Sequence, residues 1–252
     1  MKTPILLFVY NRLKHTQDTI NSLLCNHGAE NHDLIIYSDG YKTEDDKASV
    51  DEVRKYISTI KGFRSQRLNL RSCNYGLSKS LVSGVTESLT DYEQVIVLED
   101  DLLTSPHFLQ YMNDALGRFK ADDRVACIHG YLYPVEALLP EAFFLRGGDC
   151  WGWATWRRGW NIYNADARYL LDNITQKGLS KHFDYDGSYP YTKMLSNRVR
   201  RINDSWAILW HASLYLSEKL TLYPGRSLIY NSGHDNSGVN CKESRLFNTE
   251  LS

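Results

Sequence analysis

No run of 18 consecutive apolar residues occurs in this 252-residue chain, so nothing in it reads as a membrane-spanning helix. Cysteine is sparse and unpatterned. The five residues at 25, 73, 127, 150 and 241 are odd in number and contain no C-x-x-C pair. That excludes a disulfide framework and zinc-finger spacing, and it suits a reducing compartment. Excess charge of one sign is missing too, with 29 Lys and Arg against 30 Asp and Glu. Neither nucleic acid nor a charged membrane surface would therefore attract the chain as a whole. Also absent are the dinucleotide pattern G-x-G-x-x-G and the Walker pattern G-x-x-x-x-G-K-[ST]. Met1-Lys2-Thr3-Pro4 leads straight into an apolar run, too short for a signal peptide, and the expectation is a cytoplasmic protein.

What is present is concentrated in one place. Val95-Ile96-Val97-Leu98 is an apolar run that ends in Glu99-Asp100-Asp101. Four aliphatic residues bounded by charge read as a buried parallel strand, which presents functional groups at its carboxyl end. Three crowded acids raise one another's pKa unless a cation or hydrogen-bond donors satisfy them. A divalent ion with hard oxygen ligands, Mn2+ or Mg2+, meets that demand. The plainer alternative is an acidic loop in which Asp101 caps a helix started by Pro106. Aromatic content of 12 %, with 17 Tyr and 6 Trp, suits stacking on sugars or bases, although cores use the same residues.

Strand-like and helix-like segments alternate through the first half. Apolar strands are expected at residues 5–10, 34–37, 68–70, 95–98 and 125–129, and amphipathic helices at 16–25, 44–60, 77–89 and 106–119. That rhythm predicts an α/β fold, a Rossmann-like and mostly parallel sheet flanked by helices. After about residue 140 come a short strand at 143–145, an aromatic segment at 151–160, polar helical pieces to 203, a helix at 205–216, and short strands at 220–223 and 228–230. A single domain is expected, with residues 1–101 binding the ligand and residues 102–252 completing the site.

Several segments, in order, resemble the inverting GT-A glycosyltransferases, especially bacterial family-2-like surface-polysaccharide enzymes and N-acetylglucosaminyltransferases of type I. They are residues 4–10 with Asn11-Arg12, Tyr37-Ser38-Asp39-Gly40, residues 95–101 with Ser105-Pro106-His107-Phe108, Trp151-Gly152-Trp153, Asp204-Ser205-Trp206, and residues 231–241. The resemblance implies a GT-A fold, a nucleotide-sugar donor, UDP by preference, and a glycan or lipid-linked oligosaccharide acceptor. That acceptor would bring peripheral contact with the inner membrane face. Asp101 would be the ligand to manganese or magnesium, while Glu99 and Asp100 would hold ribose hydroxyls, water or the sugar. Asp39 would hydrogen-bond the base, although Asp-Gly is also an ordinary turn signal. Asn11 and Arg12 would meet the nucleoside or diphosphate, with Arg12 offering a planar fork to phosphate. Asn74-Tyr75-Gly76 resembles the family's turn into a helix beneath the nucleotide. Trp151 and Trp153 would stack on a sugar, and Trp156 and Trp160 would be structural.

Inverting transfer requires one carboxylate to accept the acceptor hydroxyl's proton. Asp204 matches the family's base position, with helix capping as the alternative duty; Asp149, Asp166, Asp184 and Asp186 are further candidates. Residues 233–241 carry the glycines of a mobile lid. Relatives of this tail place a metal-reaching histidine where this chain has Asn240, which leaves His234 for that role. Arg198, Arg200 and Arg201 form either a solvated face or a contact for a diphosphate or an anionic acceptor. Competing readings are a sugar-1-phosphate nucleotidyltransferase, whose glycine-rich loop is missing from residues 10–14, and a non-catalytic carbohydrate-binding protein. A glycosidase would turn over without any nucleotide.

Overall fold

A computed structural model describes residues 3–235 and 249–251. Its strands are β1 (Ile5–Val9), β2 (Asp33–Ser38), β3 (Ser65–Leu70), β4 (Gln94–Glu99), β5 (Leu102–Thr104), β6 (Val125–His129), β7 (Ala142–Arg146), β8 (Trp153–Trp156), β9 (Leu220–Pro224) and β10 (Ile229–Asn231). The helices are α1 (Leu13–Leu24), α2 (Lys47–Ile57), α3 (Leu77–Asp91), α4 (Phe108–Arg118), α5 (Arg157–Trp160), α6 (Ala167–Gln176), α7 (Ser180–Phe183), α8 (Tyr191–Val199) and α9 (Trp206–Leu216). Eight strands form one sheet in the order β3-β2-β1-β4-β8-β6-β9-β7, and β5 pairs with β10 apart from it. The first four pair in parallel, β8 runs antiparallel between β4 and β6, and β7 runs antiparallel at one edge. The carboxyl ends of β1 to β4 therefore open onto one edge, as expected of a mostly parallel sheet.

Alternation along each central strand explains why both sheet faces are apolar. Ile5, Leu7, Leu34, Ile36, Ile96 and Leu98 pack with Ile20 and Leu23 of α1, Val53 and Ile57 of α2, and Phe108, Met112 and Leu116 of α4. On the other face, Leu6, Phe8, Ile35, Tyr37, Val95 and Val97 meet Leu81 and Val85 of α3 and Trp206 and Trp210 of α9. Each such side chain contributes about 1.5–3 kcal/mol on full burial, so the sheet centre is rigid ground for the loops at its edge. Helix α9 is apolar all round because it serves two cores: Ile208, Leu209, Ala212 and Tyr215 pack against Leu170, Ile174, Phe183 and Leu195.

One expectation and one alternative reading need correction. The aromatic segment after Gly152 is a central strand, β8, whose Trp153 lies in register with Val97 of β4. Asp101 caps no helix: β5 follows it directly, and α4 begins only at Phe108 with His107 in the cap position. Among the described residues, no helix is long and apolar enough to cross a membrane.

Candidate active site

The loop between β1 and α1 passes over the tip of β4 because Phe8 is in register with Glu99. This delivers Arg12 to the acids. Its Nη2 donates to Asp101 Oδ2 at 2.8 Å and also to Asp100 Oδ1, with all three side chains largely buried. Asp100 Oδ2 and Arg12 Nη1 are buried without a hydrogen-bond partner among the described residues. Asn11 turns away from the acids and donates to Asp46 Oδ1 at 3.3 Å.

Burial, reinforced by the negative charges of Asp101 and Asp100, pushes the Glu99 carboxyl up to about 8. Burial likewise raises Asp100 to about 6, with Arg12 pulling against it. A carboxyl raised in the fold keeps a proton that the unfolded chain releases, so its stabilising contribution is lost as pH climbs from about 4.5 towards about 8. In chelator, the parent should thus melt progressively lower across that window, and Glu99→Gln should flatten the decline. Parallel melting curves for parent and variant would show that Glu99 is not the titrating group.

Asp39, at the tip of β2, accepts backbone N–H groups of Tyr75 at 2.9 Å and Gly76 at 2.9 Å, and more weakly of Gly40 at 3.2 Å. Asn74 returns the contact by donating its side-chain amide to the Gly40 carbonyl at 2.8 Å. These bonds latch the β2 tip to the start of α3, where Gly76 takes a φ of +73° that favours glycine. Any contact of Asp39 with a base is added to this structural duty. Asp39→Ala should cost about 1–3 kcal/mol of stability by leaving the half-buried amides of Tyr75 and Gly76 without their acceptor, together with weaker nucleotide binding. Denaturant melts showing parent stability would dismiss the latch, and calorimetry showing parent affinity would dismiss the base contact.

Trp151 and Trp153 part company. Trp153 is 0 % exposed and packs against Trp160, Trp206 and Trp210. It is a core residue and offers no face to a sugar, which corrects that expectation. Trp151 is half-buried at the edge, with Tyr131 at 4.7 Å and His234 at 5.4 Å between ring centroids. Next to it, Asp149 Oδ2 accepts the hydroxyls of Tyr133 at 3.2 Å and Tyr223 at 3.1 Å. The Trp151 N–H donates to His129 Nε2 at 3.1 Å, and burial lowers the pKa of that imidazole. The tyrosines that converge on Asp149 come from the loop after β6 and from β9, and no local sequence signal marks them.

Asp204 lies just before α9, but the cap is Ser205, whose Oγ accepts the Ile208 N–H at 3.3 Å. Asp204 itself is exposed and pairs with Arg198 at 3.0 Å, which takes Arg198 out of the basic patch and leaves Arg200 and Arg201 on the surface. Trp206 stacks on Trp153 at 5.5 Å, so the start of α9 lies under the strand that flanks β4. Of the other candidate bases, Asp166 caps α6 and Asp184 accepts the Thr192 N–H at 2.6 Å. Asp186 forms surface pairs with Lys181 and His182.

Behind the acids, β10 closes the site. Ser232 donates through both N–H and Oγ to the Asp101 carbonyl, at 2.8 and 3.0 Å. A Cβ on Gly233 would fall 2.2 Å from Asp101 Oδ2, so any larger residue there would have to displace that carboxylate. His234 follows immediately, and Asp235 pairs with His15 at 3.1 Å. Asn240 and Cys241 lie outside the described residues.

Acids at the carboxyl edge of such a sheet define a GT-A architecture, a mostly parallel sheet flanked by helices. Residues 5–170 match the family described as glycosyl transferase family 2, and the chain belongs to it. No curated protein sequence matches the chain. Among solved structures, the chain is similar to TarS of S. aureus at 14 % identity and a TM-score of 0.48, covering 92 % of this chain and 37 % of that one. For TarS residues 1–349 the identity is 13 % and the TM-score 0.48, over 93 % and 61 %. A mannosyltransferase from Pyrobaculum calidifontis, in complex with GDP-Man and Mn2+, aligns at 14 % identity and a TM-score of 0.37, over 51 % and 35 %. The chain thus spans less than two thirds of each of these proteins.

Proposed function

We propose that the chain is a metal-dependent, inverting glycosyltransferase. It moves a sugar from a nucleotide-sugar donor, a UDP-sugar first, to a hydroxyl of a glycan or lipid-linked oligosaccharide. The observation that carries this reading is the acid cluster Glu99-Asp100-Asp101 at the carboxyl edge of the sheet, in a chain that belongs to glycosyl transferase family 2. A hard divalent ion suits the donor set, since buried carboxylate oxygens converge there and Asp100 Oδ2 has no partner among the described residues. Asp101 would hold the ion, with His234, next in sequence to the Gly233 that abuts Asp101, as the candidate histidine. No group of three or more His, Cys, Asp or Glu side chains is gathered for a metal among the described residues, so the diphosphate would have to supply further ligands. Bound there, the ion would supply Lewis acidity at the leaving diphosphate.

The remaining roles belong to side chains. Asp204 takes the acceptor hydroxyl's proton, and Trp151 offers an aromatic face to a sugar. Glu99 and Asp100 hold ribose or sugar hydroxyls, and the edge formed by Asn11, Asp39 and Asn74 receives the nucleoside. The protein works in the cytoplasm and meets the inner membrane face only through its acceptor. A thermal-shift panel of UDP, GDP, dTDP and CMP, with and without manganese, tests the reading through the stabilisation that any ligand confers by binding only the folded state. The largest shift is expected for UDP with manganese. A panel in which no nucleotide moves the melting temperature under either condition would reject it.

A further inference from the structure

We propose that Arg12 is a tethered counter-ion that makes metal and nucleotide binding interdependent. It holds Asp100 and Asp101 until a nucleoside diphosphate draws its guanidinium away. The proposal rests on the nucleotide-sugar reading above.

The geometry supplies the argument. Arg12 Nη2 donates to Asp100 Oδ1 and to Asp101 Oδ2, so it already sits on an oxygen of Asp101, the residue assigned to the ion, and on its neighbour. Asp101 Oδ2 is closed on another side by the backbone at Gly233. A guanidinium and a divalent ion crowded onto the same buried oxygens repel each other, so one must yield. The backbone cannot move aside easily. The Arg12 carbonyl accepts the Thr16 N–H at 3.0 Å and its Oγ1 at 2.9 Å. The Asp100 carbonyl accepts Thr19 Oγ1 at 2.8 Å, and Ser232 holds the Asp101 carbonyl. What can yield is the long Arg12 side chain, by rotating about its own bonds. It also has somewhere better to go: Nη1 is buried without an acceptor, and phosphate oxygens match a planar fork that separate carboxylates leave half used.

Manganese binding is read directly from the free-ion electron paramagnetic resonance signal, with correction for manganese–nucleotide complexes in solution. Nucleotide-free parent should bind Mn2+ weakly, and saturating UDP or GDP should tighten it about tenfold or more; linkage requires Mn2+ to tighten the nucleotide by the same factor. Arg12→Gln should bind Mn2+ about tenfold more tightly without nucleotide, and most of the coupling should vanish. If Arg12→Gln does not melt cooperatively, Arg12→Lys replaces it. As a point charge that cannot serve both carboxylates equally, it should show a smaller change in the same direction. Unchanged Mn2+ affinity and unchanged coupling in the variant would overturn the role of Arg12 while leaving the metal site standing. A parent that binds no Mn2+ even with nucleotide, or binds it equally well after Asp101→Asn, would overturn the metal reading and this proposal with it.

Discussion

Asp204→Asn is expected to transfer sugar roughly 100-fold or more slowly than the parent while binding the donor normally and melting at nearly the same temperature. Asparagine cannot take the acceptor proton, and general-base catalysis typically contributes that much. The structure makes the experiment cleaner than the sequence suggests. Ser205 carries the cap of α9, so changing Asp204 spares it, whereas Ser205→Ala should cost about 1 kcal/mol of stability with chemistry retained. The Asp204–Arg198 pair leaves the aspartate side chain 73 % exposed, and surface pairs contribute little. Initial rates and melts of both variants separate the roles, and near-parent turnover by Asp204→Asn would remove Asp204 from the mechanism.

Loss of the manganese-dependent part of nucleotide stabilisation is the expected result for Asp101→Asn. A ligand at 100 times its dissociation constant stabilises a protein by about 2.7 kcal/mol, so losing that increment is a large shift in melting temperature. The fold itself should survive. The exchange is isosteric, and it removes one of the two charges that raise the Glu99 carboxyl. The loss of stability towards pH 8 should therefore soften in the same variant, a second readout from the same melts. Manganese-dependent stabilisation equal to the parent's would show that the ion binds elsewhere.

How much of this could be read from the chain alone follows from where each element finds its partners. Strand β4 was legible because both of its faces are buried, which leaves an unbroken aliphatic run between polar boundaries. The helix at 206–216 was legible from its apolar content, although the cap belongs to Ser205 and not to Asp204. Strands β5 and β8 were not. Leu102–Thr104 is too short to carry a period and exists by pairing with Ile229–Asn231, far along the chain. Trp153–Trp156 has the composition of a ligand-stacking surface, and only its neighbours β4 and β6 reveal a core strand. Single residues follow the same rule. The Asp39-Gly40 turn was visible locally, but the amides of Tyr75 and Gly76 that occupy its carboxylate lie 36 and 37 positions on. Arg12 was expected to face phosphate, and its pairing with two acids 88 and 89 residues away could not be seen without the sheet register.

The cover over Asp101 has a consequence for assembly. Ser232 closes on a residue 131 positions earlier in the chain, a contact of very high order that must wait for everything between to be arranged. Closing so long a loop is thermodynamically mild, since each doubling of loop length adds only about 0.6 kcal/mol, but kinetically such contacts come late. During synthesis the amino-terminal strands can pair and pack as soon as they emerge. The acids at the tip of β4 then stand uncovered until the ribosome has delivered β10 and Ser232. A nascent chain halted before β10 would carry every residue of the acid cluster without its cover, which places the closure of that cluster after the synthesis of β10 rather than with the strands that bear the acids.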